Sequence, residues 1–123
     1  MLYLICGLPN AGKTTYSNKF ESVLHYDDIS RLSFAERNEI YRNTDAECIE
    51  GIYNTIKSRK NILECVKETD KRVCIWIDTP LEICLERERN YRHRPEQMVK
   101  HSYDAFQPPT YDEGWDEIIV VRR

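Results

Sequence analysis

Apolar positions along this chain fall into short continuous runs separated by stretches of helical spacing. Leu2–Cys6 is a continuous apolar run that stops at Gly7, the pattern of a strand buried on both faces. Lys13–Phe20 then predicts a helix, and Ser22–Tyr26 a second short strand running into Asp27-Asp28. Ser33–Tyr41 reads as a helix opened by a capping box, with Ser33 at the cap and Glu36 completing the pair. Thr44–Tyr53 has no clear period, and most of it is expected to be helix. In Ser58–Thr69, Ile62, Leu63 and Val66 share one face of an amphipathic helix. Arg72–Asp78 is the clearest strand, because Val73-Cys74-Ile75-Trp76-Ile77 is apolar on both faces. Thr79-Pro80 opens a helix to about Asn90, with proline in the first turn and Asp78 or Thr79 as cap. Met98, Val99, Tyr103 and Phe106 sit at helical spacing in a helix from Pro95 to about Phe106, which Pro108-Pro109 ends. Ile118–Val121 is the last strand.

Strands thus alternate with helices. This predicts a three-layer α/β fold: a small, mostly parallel sheet of about four to five strands, helices on both faces, and a helical lid over roughly residues 80–95. Right-handed crossovers place ligands at the carboxyl ends of such strands. Gly7, Asp27-Asp28 and Asp78 all lie at those ends, so three polar signals converge on one edge of the sheet.

Length and composition narrow the class. The chain has 123 residues, which predicts a single domain, and 41% apolar residues suffice for one core. Charged residues make up 32%, and no apolar run approaches the roughly 18 residues of a membrane span. The apolar start is too short for a signal peptide and has no basic region before it, so a cytoplasmic location is expected. The five cysteines are widely spaced with no C-x-x-C, which argues for small buried hydrophobes rather than disulfides or zinc. A net charge of −3 argues against wrapping a nucleic acid, but it leaves room for one held at an end.

The strongest chemical signal is Gly7-Leu8-Pro9-Asn10-Ala11-Gly12-Lys13-Thr14, which fits the P-loop pattern G-x-x-x-x-G-K-[ST] between a buried strand and a helix. Successive backbone N–H groups must turn inward around a phosphate, so side chains at Gly7 or Gly12 would block approach or strain the turn. The helix that follows turns its positive end to the same anion. Lys13 adds a charge at the β- and γ-phosphates, and the Thr14 hydroxyl is the expected Mg²⁺ ligand. Pro9, Asn10, Ala11 and Thr15 complete the expected nucleotide-binding set.

A P-loop serves many activities, so the remaining residues must discriminate. Asp27 is the candidate base that accepts a hydrogen bond from an attacking hydroxyl; the competing reading of Asp27-Asp28 is a solvated turn. Asp28 lines the acceptor side or caps the next turn, and Arg31 is placed to hold a substrate phosphate or orient Asp27. Arg87, Arg89, Arg92, Arg94 and Lys100 cluster in the lid segment. Arginine forks there can stabilise a phosphoryl-transfer transition state, with Arg87 and Arg92 the first candidates. Glu82, Glu86 and Glu88 lie on the same stretch, so the alternative is an ion-paired surface helix.

Gly7–Thr15, Tyr26-Asp27-Asp28 with Arg31, Ile77–Arg94, and the tail Phe106–Ile118 together resemble the P-loop kinase family that contains the 5′-hydroxyl polynucleotide kinase domain of phage polynucleotide kinase-phosphatase. The resemblance covers most of the chain and implies ATP- and Mg²⁺-dependent transfer of a γ-phosphate to a hydroxyl, such as the 5′ end of a nucleic acid or a nucleotide-like acceptor. It implies that Asp27 is the base, that an arginine shortly after it contacts substrate, and that lid arginines contact the triphosphate. One departure stands out. Where the family has a middle strand ending in an Asp-x-Thr-Asn type of motif, this chain reads Gly51-Ile-Tyr-Asn54-Thr55, with Asn54 at the expected aspartate. Asp78 is expected to be a helix cap rather than the missing acid. Two alternatives stay open: a small-molecule kinase for a nucleoside, sugar or antibiotic, and a nucleotide-binding module without transfer activity. Tyr26, Tyr41 and Tyr53 are candidates to stack a base or simply to pack.

Overall fold

A computed structural model describes residues 1–122. Five strands form one sheet in the order β2-β3-β1-β4-β5. They are β1 (Leu2–Cys6), β2 (Val23–His25), β3 (Cys48–Glu50), β4 (Arg72–Asp78) and β5 (Glu117–Arg122), and every pairing is parallel. The helices are α1 (Lys13–Ser17), α2 (Tyr26–Ile29), α3 (Phe34–Asn43), α4 (Ile56–Cys65), α5 (Leu81–Arg87) and α6 (Glu96–Asp104). A π-helical turn, Glu88–Arg92, follows α5, and a 3₁₀ turn, Tyr111–Glu113, precedes β5.

The apolar runs explain the layers. β1 lies between β3 and β4, and Leu4, Ile5 and Cys6 are wholly buried. Alternate residues feed two cores. Leu4, Cys6, Ile49 and Cys74 pack with Tyr41, Ile62, Leu63 and Trp115 beneath α3 and α4. Ile5, Val73, Ile75 and Ile77 pack with Ala11, Cys84, Leu85 and Val99 beneath α1, α5 and α6. Cys6, Cys48, Cys74 and Cys84 are buried and unbridged, as expected of small hydrophobes. The chain leaves β1 for β2, returns to β3, and only then crosses to β4 on the other side of β1. The loop after β1 therefore opens where the strand order reverses, the place where ligands bind in such sheets.

Several expectations need correction. Thr44–Tyr53 is not mostly helix, because Cys48–Glu50 forms the buried strand β3, paired on both sides. A strand this short shows no periodicity of its own; its two neighbours impose the extended backbone. α1 ends at Ser17 rather than Phe20. α4 starts earlier, at Ile56, because Thr55 and Ser58 form a capping box, and it stops at Cys65, where Val66 turns extended. Neither Asp78 nor Thr79 caps α5: Pro80 holds the cap position without a side-chain bond. Asp78 instead faces Arg122 at 3.6 Å. The capping box of Ser33 and Glu36 on α3 forms as expected. Among the described residues no helix is long and apolar enough to cross a membrane.

Candidate active site

The loop after β1 is shaped by close approach. A Cβ on Gly7 would stand 2.8 Å from the backbone oxygen of Ile77 on β4, so only glycine lets the loop leave the sheet there. Gly12 has φ of 102°, a left-handed conformation that turns the chain into α1. The Thr79 hydroxyl donates to the Ala11 carbonyl at 2.7 Å and ties the loop to the end of β4. Lys13 is 8% exposed, and its Nζ donates to the Leu8 carbonyl at 2.6 Å. Burial lowers its pKa from the ordinary lysine value, while Glu50, Cys6, Cys84 and Asp27 pull the other way.

Residues 9–15 line a cavity of about 440 Å³ together with Asp27, Glu50, Arg87, Tyr91, Arg92 and Arg94. The structure thus brings Pro9, Asn10, Ala11, Gly12, Lys13, Thr14 and Thr15 together with Asp27, Arg87 and Arg92, while Gly7 backs the loop from behind. Asp27 and Asp28 fall in the first turn of α2, both exposed, and only Asp27 faces the cavity. Asp28 makes no capping bond, and exposed Arg31 lines neither this cavity nor its neighbour. Arg89 pairs with Glu96 outside the cavity lining.

Glu50 is the residue that the sequence reading missed. It ends β3, is 7% exposed, lines the cavity, and accepts a 2.7 Å contact from His25 Nδ1 at the end of β2. β3 thus ends on an acid, whereas Asn54, the residue set against the family's aspartate, lies beyond the strand end. Asn54 belongs to the following loop, where its Nδ2 donates to the Ser102 carbonyl. The signal was the run Cys48-Ile49-Glu50-Gly51, legible only once the segment is read as a strand.

α5 and the turn after it hold the loop through Asn10. Arg87 Nη1 donates to the Asn10 carbonyl at 2.7 Å, and Asn10 Nδ2 donates to Glu88 Oε1 at 3.0 Å and to the Cys84 carbonyl at 3.3 Å. Arg94 Nη2 donates to Glu88 Oε1 at 2.8 Å. The hydrogen bonds from Arg94, with help from Asn10, hold the Glu88 carboxyl down at about 2 against the opposing effect of desolvation.

A second, larger groove of about 1160 Å³ lies between α3, α4 and α6. Ile52 is the one residue lining both cavities. Arg37, Lys57 and Lys60 line the groove with a single carboxylate, Glu64, among the described residues. Tyr26 meets Tyr53 edge-on with ring centres 5.7 Å apart, and the Tyr41 and Tyr53 hydroxyls share a 2.9 Å hydrogen bond. Tyr41 and Tyr53 are thus mostly packing, whereas Tyr26 and the exposed Phe34 offer ring surface to the groove.

The parallel sheet order with the loop after β1 is a fold that solved kinases share. No family model matches the chain. L-seryl-tRNA(Sec) kinase of Methanococcus maripaludis is 27% identical over 144 aligned residues, covering 94% of this chain and 56% of that protein. The chain therefore spans just over half the length of that relative. A solved sugar kinase from Janibacter sp. HTCC2649 superposes with a TM-score of 0.71 at 14% identity, covering 98% of this chain and 83% of that one. The APS kinase of Mycobacterium tuberculosis, solved with AMPPNP and APS, has a TM-score of 0.55 at 15% identity, covering 97% and 87%. The relative and both structures are kinases.

Proposed function

We propose that this chain is an ATP-dependent kinase that passes a γ-phosphate to a hydroxyl carried on a nucleotide or nucleic acid. One observation carries the reading: Lys13, Asp27 and the lid arginines Arg87 and Arg92 converge on a single cavity beneath the phosphate-binding loop. Residues 9–15 bind the triphosphate, and Lys13 exchanges the Leu8 carbonyl for phosphate oxygens. Asp27 accepts the hydroxyl proton, and Arg87 and Arg92 balance charge spreading over the transferred group. Residues 1–123 act in this as one kinase unit, with α5 and the turn after it as the lid. No group of three or more metal-ligating side chains occurs among the described residues. That suits Mg²⁺, which takes much of its shell from phosphates and water; the Thr14 hydroxyl, with Glu50 facing the same cavity, would hold it. Mg²⁺ held there would supply charge neutralisation for the phosphates.

The neighbouring groove supports the acceptor class. In a chain of net charge −3, a wall carrying Arg37, Lys57 and Lys60 against Glu64 favours an anionic partner, and Tyr26 and Phe34 give a base a surface to stack on. The likeness to a sugar kinase structure keeps a small polyol as the second reading. Purified protein with γ-labelled ATP should be offered 5′-hydroxyl oligonucleotides, seryl-tRNA, nucleosides and sugars. Label on either nucleic acid is the expected result. Label on sugars or free nucleosides selects the second reading, and ATP binding with no labelled product defeats both.

A further inference from the structure

Glu88 is fully buried in a lid segment whose neighbours are mostly open to water. Nothing in the chemistry above uses it. A carboxylate persists away from solvent only when its lone pairs are matched. Here they are: Oε1 accepts from Asn10 Nδ2 at 3.0 Å and Arg94 Nη2 at 2.8 Å, and Oε2 accepts from the Arg94 backbone N–H at 2.9 Å. Arg94 Nε adds contacts of 3.1 Å to both oxygens. The π-helical turn makes this possible. His93 is left-handed at φ 58° and donates its N–H to the Glu88 carbonyl at 2.7 Å, which folds Arg94 back onto the Glu88 side chain. The Nε–Nη2 edge of Arg94 is thereby fixed, while Nη1 has no hydrogen-bond partner among the described residues, and Arg94 lines the triphosphate cavity.

We propose that Glu88 is a positioning residue that holds Arg94 edge-on against the Asn10 corner of the loop and presents its free Nη1 to the terminal phosphate of the nucleotide. The proposal rests on the nucleotide-binding half of the kinase reading. A carboxylate that merely stapled the lid down would affect all nucleotides alike. One that aims Arg94 affects the terminal phosphate alone.

Calorimetry with Mg·AMPPNP and Mg·ADP separates the two roles. Glu88→Gln and Arg94→Ala should each lower the preference for AMPPNP over ADP by about tenfold, with ADP affinity within about twofold of wild type. The double variant should be no worse than Arg94→Ala alone, since the carboxylate acts only through the arginine. A folded Glu88→Gln protein with the wild-type preference overturns the proposal, as does an unchanged preference in Arg94→Ala. Should Glu88→Gln fail to fold, Arg94→Lys reads the link from the exposed partner. It keeps the charge without the forked grip and should lose the preference as fully as Arg94→Ala; a retained preference overturns the proposal. Wild-type protein that binds neither nucleotide overturns it together with the kinase reading. If the preference falls as expected but no acceptor is ever labelled, the kinase reading fails and the role of Glu88 in sensing the terminal phosphate stands.

Discussion

Lys13, Asp27 and Glu50 share the cavity with Arg87, Arg92 and Arg94. Lys13 is buried with its ammonium parked on a carbonyl, so its removal takes away a charge without opening the core. Lys13→Ala should abolish ATP binding in calorimetry, and unchanged affinity would remove the loop from the mechanism. Asp27 is exposed and makes no structural side-chain bond among the described residues, so Asp27→Asn should leave ATP affinity within a few-fold and slow transfer by roughly 10²–10⁴. Wild-type transfer in that variant would place the base elsewhere, with Glu50 the next candidate. Legibility at this scale followed locality. The loop could be read because its chemistry lies in consecutive backbone groups, with glycines marking where side chains do not fit. Glu50 could not, because its meaning comes from strands distant in sequence that carry it to the cavity. The same holds for the contacts of Asn10, a residue expected in the nucleotide-binding set, whose partners lie on α5 and the turn after it.

The segment from α5 onward was legible as arginine-rich and helical, but not as two pieces joined by a π-helical turn, since no local pattern announces that turn. The latch between Glu88 and Arg94 depends on an ionised Glu88. The Glu88 carboxyl sits near 2 in the folded chain against an ordinary 4.5, so the latch contributes in full above about pH 4.5. Its contribution declines as pH falls below that value and is gone once pH drops through about 2. A carbon-detected NMR titration of the Glu88 carboxyl should give a midpoint near 2, with the Arg94 amide signal moving in step. A midpoint near 4.5 would show the latch open in solution. The strand β3 teaches the complementary lesson. Three buried residues between two established strands carry too little pattern to be distinguished from helix, although they complete the sheet.

Across the whole molecule, the tail before β5 is a structural clamp. Arg59 of α4 is fully buried and donates to Glu113 at 2.7 Å and to the carbonyls of Tyr53 and Gln107. Trp115 donates to the same carboxylate and fills the core beneath α4. Arg59→Leu leaves the buried Glu113 carboxylate without a counter-charge, so it should cost about 3–5 kcal/mol in urea unfolding. Adding Glu113→Leu should recover part of that loss. A loss under about 1 kcal/mol in the single variant would show the pair to be hydrated rather than buried. The parallel order of the sheet was legible from the alternation of elements, while the clamp was not, because charged residues in a sequence read as surface.

The two cavities meet at Ile52 alone. Drift in α3, α4 and α6 can therefore rebuild the groove while the loop and its cations stay intact. A lineage built on this plan can remodel one cavity without disturbing the other.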